Sequence, residues 1–599
     1  MERRLRFRAD KFRRLDHPAR RIEAVYAMNG LDIFLLITSI AAIAFYGVWH
    51  TRSRRDLNSY VRGSDHTPWW VIGISVMATQ ASAITFLSTP GQGYLGGLGF
   101  LQVYFGVPIA MIVISLFFLP IFHKLHVYTA YEYLEKRFDR KTRLFGAGLF
   151  LLQRGIGAGL TIYAPAIVLS TVFGWSLQWT IIAAGTIVMI YTVLGGTDAV
   201  TVTQKYQMGV IFIGMTAAAC ILMSKLPPDL SIVDALGVAG GFQKLNASNF
   251  SPSIHERYTF WSGLLGGTFL MLSYFGADQS QVQRYLSGDS VRESRLGLLF
   301  NAICKIPMQF CILMLGVMIF VFYQFNQPPL FFDAASNQYL ESRKGDPTHA
   351  QNLLKYETQF KETHAQGKQH LVNWLKARRE KNEQAATAEF VGAAMAQQEG
   401  EKIRKAAAQE LSTQNTEIKA NSADYVFITF ILRELPHGAI GLLVAAFFAA
   451  ALASKAAELN ALGTCTTIDF YRVLNKRQAT DEECLVATKC FTALWGAAAI
   501  AIALFAQLSE NLIQAVNILG SIFYGVLLGL FVVGFFIRRV GGTALFWAAL
   551  VAQLLVFVLY YKLTISYLWY PLIGCAACVV FSLVIQIFLG DKENKVKPA

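Results

Sequence analysis

The chain has 599 residues, 54% of them hydrophobic and 15% charged, with a formal net charge of +14. Soluble domains carry about 25% charged residues, so a string of soluble domains is excluded and one large membrane-embedded helical bundle is expected. The positive balance lies mostly in a basic arm and in short loops between apolar runs, which reads as membrane-sidedness and not as a nucleic-acid footprint.

Residues 1–27 form a basic arm that includes Arg3, Arg4, Arg6, Arg8 and Lys11. Apolar runs of bilayer-spanning length, about 17–25 residues, follow near 31–49, 69–89, 101–122, 144–171, 176–193, 206–224, 259–276, 297–324, 426–454, 486–506, 512–537, 543–561 and 566–589. An all-α polytopic membrane protein with about thirteen transmembrane helices is therefore expected. Lys and Arg gather in alternate loops: Arg52, Arg54, Arg55 and Arg62, then Lys124 to Arg143, then Arg284, Arg292 and Arg295, then Arg472, Lys476 and Arg477, then Arg538 and Arg539. These loops and the tail (Lys592, Lys595, Lys597) belong on the cytoplasmic side. An odd number of spans then puts the N-terminus outside, against the charge of residues 1–27. Either downstream loops override the arm, or translation starts at Met28; the second is the favoured expectation. No cleavable signal peptide is evident.

Residues 69–100, WWVIGISVMATQASAITFLSTPGQGYLGGLGF, start as a membrane helix. Thr79, Gln80, Ser82 and Thr85 then interrupt the apolar run, and Pro90, Gly91, Gly93, Gly96 and Gly97 are read as its end. Two readings stay open here. One is a helix with a polar packing face and a Gly-rich exit loop. The other is a discontinuous helix of the kind that holds ions and solutes in secondary transporters.

Residues 330–425 are the one large non-membrane segment, placed outside by the loop count. Their Ala, Glu, Gln and Lys content predicts helices, as a hairpin. A solvated insert without chemistry of its own is the plainer reading; a partner-docking element is the other. The eight cysteines show no disulfide framework, and the CxxC pair Cys575 and Cys578 lies in apolar PLIGCAACVVF, where packing is expected.

GISVMATQASAITF (73–86), FLPIFHKLHVYTAYEYLEKRF (118–138), GGTDAVTVTQKYQ (195–207), YFGADQSQVQRYLS (274–287), NAICKIPMQF (301–310) and ELNALGTCTTIDFY (458–471) occur in this order. Together they resemble the sodium:solute symporter family, which includes the sodium/sugar cotransporters. The resemblance covers nearly the whole membrane portion and leaves out the basic arm and the 330–425 insert. It implies a leucine-transporter-like fold: a 5+5 inverted-repeat core, spans 2–6 and 7–11, with broken first and sixth core helices. The expected organisation is an arm at 1–27, an extra helix at 28–58, the first repeat at 67–225, the second at 226–329 and 426–540 around the insert, two C-terminal helices at 541–590 and a cytoplasmic tail at 591–599.

The resemblance also implies a sodium site between the broken first core helix and the eighth. Ala78 and Ala81 would supply carbonyls, Ala450 a further carbonyl and Ser454 a hydroxyl, oxygen ligands that suit a hard cation. The pattern departs at Ala453, where the family often has a second hydroxyl, and at Gln204, which replaces the acid of an optional second sodium site; one sodium per cycle is expected. Lys455 is a lysine inside a membrane helix, a functional candidate by default. Either it competes with the sodium site and makes the carrier proton-coupled or uncoupled, or it snorkels and pairs with Glu458 one turn on. By motif match the substrate contacts are Thr85, Tyr104, Tyr274, Lys305 and Asn517, with Phe275 beside Tyr274. Thr85 and Tyr104 replace longer or acidic groups, which weakens polyol specificity, and Lys305 favours an acid. Asp278, Gln279 and Arg284 read as a gate network at the cytoplasmic end of the seventh span.

No nucleophile–base pair or phosphate loop appears, so no enzyme is expected. The expected function is import of a small polar solute, a sugar or sugar-like acid, on a sodium gradient across a bacterial inner membrane. The expected partners are the solute, sodium and the lipid bilayer, with no nucleic acid. The alternatives are the proton-coupled carrier through Lys455 and a solute sensor signalling through the insert.

Overall fold

The computed structural model describes residues 28–51, 60–61, 67–125, 127–288, 290–333, 336–337, 339, 349–414, 423–475, 479–505 and 511–590. The basic arm 1–27, the start-site question and the tail 591–599 lie outside the described residues. Among the described residues every regular element is helical, and ten helical stretches are long and apolar enough to cross a membrane. The expected spans near 31–49, 69–89 and 259–276 are not among those ten: the first contributes a shorter apolar stretch, Gly30–Ala42, and the other two are built from shorter or interrupted helices.

Helix α1 is Gly30–Thr51. The stretch around 69–100 is two helices, α2 (Trp69–Gln80) and α3 (Ala83–Gly96). At Ala81 ψ swings to 71° and at Ser82 to 174°, so the ladder stops after the Ala81 amide donates to Met77. Neither Pro nor Gly stands at this break; short polar side chains, which compete with helical hydrogen bonds, do. Pro90, Gly91 and Gly93 do not end the run. They lie inside α3, and Gly97, at φ +66°, follows its last residue. The glycines serve close packing instead: a Cβ at Gly91 would stand 1.8 Å from the Ala423 carbonyl oxygen, and one at Gly93 2.3 Å from that of Leu313.

Next come α4 (Val107–Val113, carried on to Leu125 through a π-helical turn), α5 (Arg140–Phe173) and α6 (Leu177–Ser224). Gly196 at φ +61° divides α6 into the two expected spans. After the short α7 (Ile232–Gly241), the sixth core helix is broken like the first. It comprises α8 (Gly267–Gly276) and α9 (Gln279–Tyr285), with Ala277 and Asp278 between them. Asp278 caps α9 by accepting from the Ser280 amide at 2.9 Å.

The long α10 (Val291–Phe325) packs along both α2 and α3. The insert contains α11 (His349–Arg379) and α12 (Glu383–Gln414), packed on each other. His364 meets the Tyr323 carbonyl at 2.8 Å, and Arg404 donates to the carbonyls of Pro329 and Leu330 at 3.0 Å each, so the pair is seated on the bundle.

The expected span 426–454 is corrected. Residues 423–434 are a separate helix, α13 (Ala423–Glu434), and the eighth core helix is α14 (Ala439–Cys465), continuing to Leu474. Pro436 and Gly438, at φ +90°, force the break. Four helices complete the chain: α15 (Asp481–Phe505), α16 (Leu512–Phe536), α17 (Gly542–Lys562) and α18 (Trp569–Leu589).

Candidate functional site

A cavity lies against the break between α2 and α3, with about 700 Å³ of empty space that includes open solvent. Thr79, Gln80, Ser82 and Thr85 form that wall. Tyr104 and α8 (Met271, Tyr274) close one side, and α16 (Asn517, Tyr524) the other. Arg154 and Thr161 from α5 and Glu458 from α14 also line it. The sequence places helix-breaking polar residues where two half-helices end, and the tertiary fold aims the ends at this space.

Of the expected substrate contacts, Thr85, Tyr104, Tyr274 and Asn517 line the cavity. Phe275 does not; it is buried behind, packed edge-on against Tyr274 with ring centroids 4.9 Å apart. Lys305 does not reach the cavity either. Its Nζ lies 5.3 Å from the centre of the Tyr104 ring, so Tyr104 stands between it and the open space, and the ammonium has no hydrogen-bond partner.

The strongest electrostatic feature escaped the motif reading. Arg154, only 3% exposed, pairs with Asp278 through both Nε (3.0 Å) and Nη2, donates to the Tyr524 hydroxyl at 2.8 Å, and reaches Glu458 through Nη1 at 3.3 Å. Tyr524 in turn donates to Asp278 at 2.7 Å. The Arg154 guanidinium also lies 5.3 Å from the centre of the Tyr274 ring. A signal for it existed: Arg154 is a lone charge in the middle of the apolar span 144–171, the pattern that marks a functional residue in a membrane helix.

Lys455 turns to Glu458 and Thr161, with short contacts to both. Asp278 belongs to the Arg154 network. The gate network expected from sequence is redrawn, because Arg284 does not join it: its Nη1 meets Thr201 at 3.2 Å, while Gln279 holds the Ala130 amide and the Tyr128 carbonyl. Asp278 caps a seven-residue helix that carries both Gln279 and Arg284, and the side chains of this short motif point to different places.

The residues expected to hold a sodium ion stand on two helices, α2 and α14. Ala78 and Ala81 lie at the end of α2, where helix termination leaves carbonyls without helical partners. Ala450 and Ser454 are one helical turn apart on buried α14, and Ser454 Oγ has no hydrogen-bond partner. Gln204 ties the two helices together. It accepts from Ser75 and donates to Thr79 Oγ1 at 3.1 Å and to the Ala453 carbonyl at 3.2 Å. Its amide thus places a hydrogen-bond donor between α2 and α14. Among the described residues no group of three or more His, Cys, Asp or Glu side chains could hold a metal, so a cation here would depend on carbonyl and hydroxyl oxygen.

Two broken helices beside a cavity, inside a bundle of membrane-spanning helices, are the architecture in which secondary carriers hold ions and solutes. A model of the sodium:solute symporter family matches residues 60–342 and 404–552. The chain belongs to that family, and its ten long apolar helices suit a multi-pass membrane protein. The human sodium-coupled monocarboxylate transporter 1 is 32% identical over 288 residues, 48% of this chain and 47% of that protein. The human sodium/iodide cotransporter is 31% identical over 300 residues, 49% of this chain and 46% of that protein. The chain thus spans about half the length of these two relatives. The sodium/sialic acid symporter SiaT of Proteus mirabilis is 24% identical over 587 residues, 94% of this chain and 98% of that protein. A solved sodium-coupled sialic acid symporter, in a substrate-bound outward-open state, superposes with a TM-score of 0.72 over 94% of this chain and 99% of its own, at 22% identity. The fold is therefore the leucine-transporter-like one. Most of the insert, residues 343–403, falls between the two matched segments.

Proposed function

We propose that the chain is a sodium-coupled symporter that imports a small organic anion, a sugar-like acid or simple carboxylate, by alternating access. The observation that carries this reading is Arg154. A guanidinium lining a membrane cavity is suited to a carboxylate, which its Nη1 can take in a charge-assisted hydrogen bond. Tyr274, Thr85, Tyr104 and Asn517 offer hydroxyl and amide groups around it for the rest of the solute. The relatives agree in chemistry, since monocarboxylates, iodide and sialic acid are all anions. Lys305, behind Tyr104, adds positive potential and is not a direct contact in this arrangement.

One sodium ion moves per cycle, held by the carbonyls of Ala78, Ala81 and Ala450 and by Ser454 Oγ. The free hydroxyl of Ser454 supports this assignment, and the Gln204 amide, bridging α2 and α14, supports a stoichiometry of one. Lys455 is engaged by Glu458 and Thr161, which favours sodium coupling over the proton-coupled alternative. The protein sits in a bacterial inner membrane with its C-terminus in the cytoplasm, as the basic loops require.

Uptake of sialic acid and of lactate into proteoliposomes, with inward gradients of sodium or choline, tests this reading. Sodium-dependent uptake of either acid is expected. Purified protein is also expected to gain thermal stability in sodium over choline, as a ligand of the folded state demands, and Ser454→Ala should remove that gain. Uptake that ignores sodium, or a sodium gain that survives Ser454→Ala, would overturn the assignment.

A further inference from the structure

Four ionisable side chains meet beside the cavity, and their formal charges sum to zero: Arg154 and Lys455 against Asp278 and Glu458. They are not equivalent. Asp278 is saturated. Its Oδ2 takes Arg154 and the Tyr524 hydroxyl, and its Oδ1 takes the amide and hydroxyl of Ser280. Glu458 is a bridge. Its Oε2 is held by Lys455 and, at 3.4 Å, by Thr161, while its Oε1 reaches Arg154 Nη1 at 3.3 Å, the longest contact that Arg154 makes in the network. Arg154 and Glu458 line the cavity; Lys455 and Asp278 do not. Lys455 directly follows Ser454, whose hydroxyl is unpartnered.

We infer that Glu458 couples the transported anion to the cation by charge balance, an inference that rests on the sodium–anion reading above. The four side chains by themselves are neutral in sum. A carboxylate docking on Nη1 of Arg154 adds one negative charge, and a cation beside Ser454 adds one positive charge. At low dielectric each binds more weakly alone than beside the other, and the two together restore neutrality. The incoming carboxylate displaces only the longest contact of Arg154. Glu458 keeps Lys455 and Thr161, so no buried charge is left without a partner. The same balance selects for acids over neutral sugars, because a neutral solute leaves the charge of the cation uncompensated.

The test is the sodium dependence of thermal stability in the purified full-length protein, without solute, with choline replacing sodium at constant ionic strength. Glu458→Gln leaves the cluster at one positive charge and is expected to raise the sodium concentration for half-maximal stabilisation about tenfold or more. Lys455→Gln leaves one negative charge and is expected to lower it by about as much. A folding defect lowers stability in choline as well, but it does not move the two sodium midpoints in opposite directions. With sialic acid or lactate as the probe, Glu458→Gln is further expected to bind the acid without sodium. Midpoints that are unchanged, or that move the same way in both variants, overturn the inference and leave the sodium reading standing. A wild-type protein with no sodium-specific stabilisation overturns the sodium reading itself.

Discussion

Among the described residues two lysines are buried in the membrane bundle, and they live in opposite surroundings. Lys455 is 2% exposed and sits between Glu458 and Thr161, part of a cluster whose formal charges cancel. Lys305 is fully buried and has the face of one tyrosine ring and no hydrogen bond. The difference teaches that burial alone does not mark a functional cation. A buried charge with a carboxylate beside it belongs to a network that must be kept whole, whereas a buried charge without one is a standing cost that function has to justify.

Breaking the paired side is expected to have the largest effect. Arg154→Met would strand Asp278 without its cation, a loss of about 3–5 kcal/mol. Denaturation of the purified variant should show it as a much lowered melting temperature, together with abolished uptake; stability close to wild type would mean that Asp278 is neutral and the network is not ionic. The unpaired side should behave in reverse. Lys305→Met removes a buried ammonium with no partner and keeps an apolar stem against Tyr104, so stability should change by less than about 1 kcal/mol or rise. Uptake of the variant then separates the two roles: if Lys305 only adds positive potential, the KM for an acid rises while kcat holds. A severe loss of stability would reveal a partner for Lys305.

The smallest expected effect lies in the insert, away from both lysines. Burial, reinforced by Lys368 and Arg404, holds His364 below the ordinary histidine range. The folded protein then binds fewer protons than the unfolded chain. This part of the stability is present above the ordinary histidine pKa of about 6.5 and is lost as pH falls from there towards the lower folded value. Protection of α11 and α12 against hydrogen exchange, corrected for the intrinsic exchange rate at each pH, should therefore fall as pH drops below about 6.5, and His364→Gln should flatten that dependence.

Much of the bundle was legible in the sequence, because spans and breaks are written in local composition. Thr79, Gln80 and Ser82 announce the break in the first core helix, and the apolar runs on either side announce its membrane setting. The glycines of α3 were misleading in isolation. Gly91 and Gly93 look like a loop, yet they are the contact points at which α3 touches the backbones of α13 and α10. A glycine needed for close approach and a glycine needed for a turn have the same letter, and only the neighbour tells them apart. Pro436 and Gly438 were the opposite case: a real break hidden inside an apolar run.

The sequence by itself determined the class of the protein. Its low charge, its long apolar runs and the ordered motifs from GISVMATQASAITF to ELNALGTCTTIDFY specify a polytopic membrane protein of one family, because membrane insertion and helix discontinuity are read along the chain. Tertiary structure alone decided which charges meet. Arg154 lies 124 residues from Asp278 and 304 from Glu458, and no periodicity links positions so distant. Lys305 kept its motif and yet stands behind Tyr104, outside the cavity. Pairing at low dielectric depends on distances of a few ångström between helices, and those distances exist only once the bundle has closed.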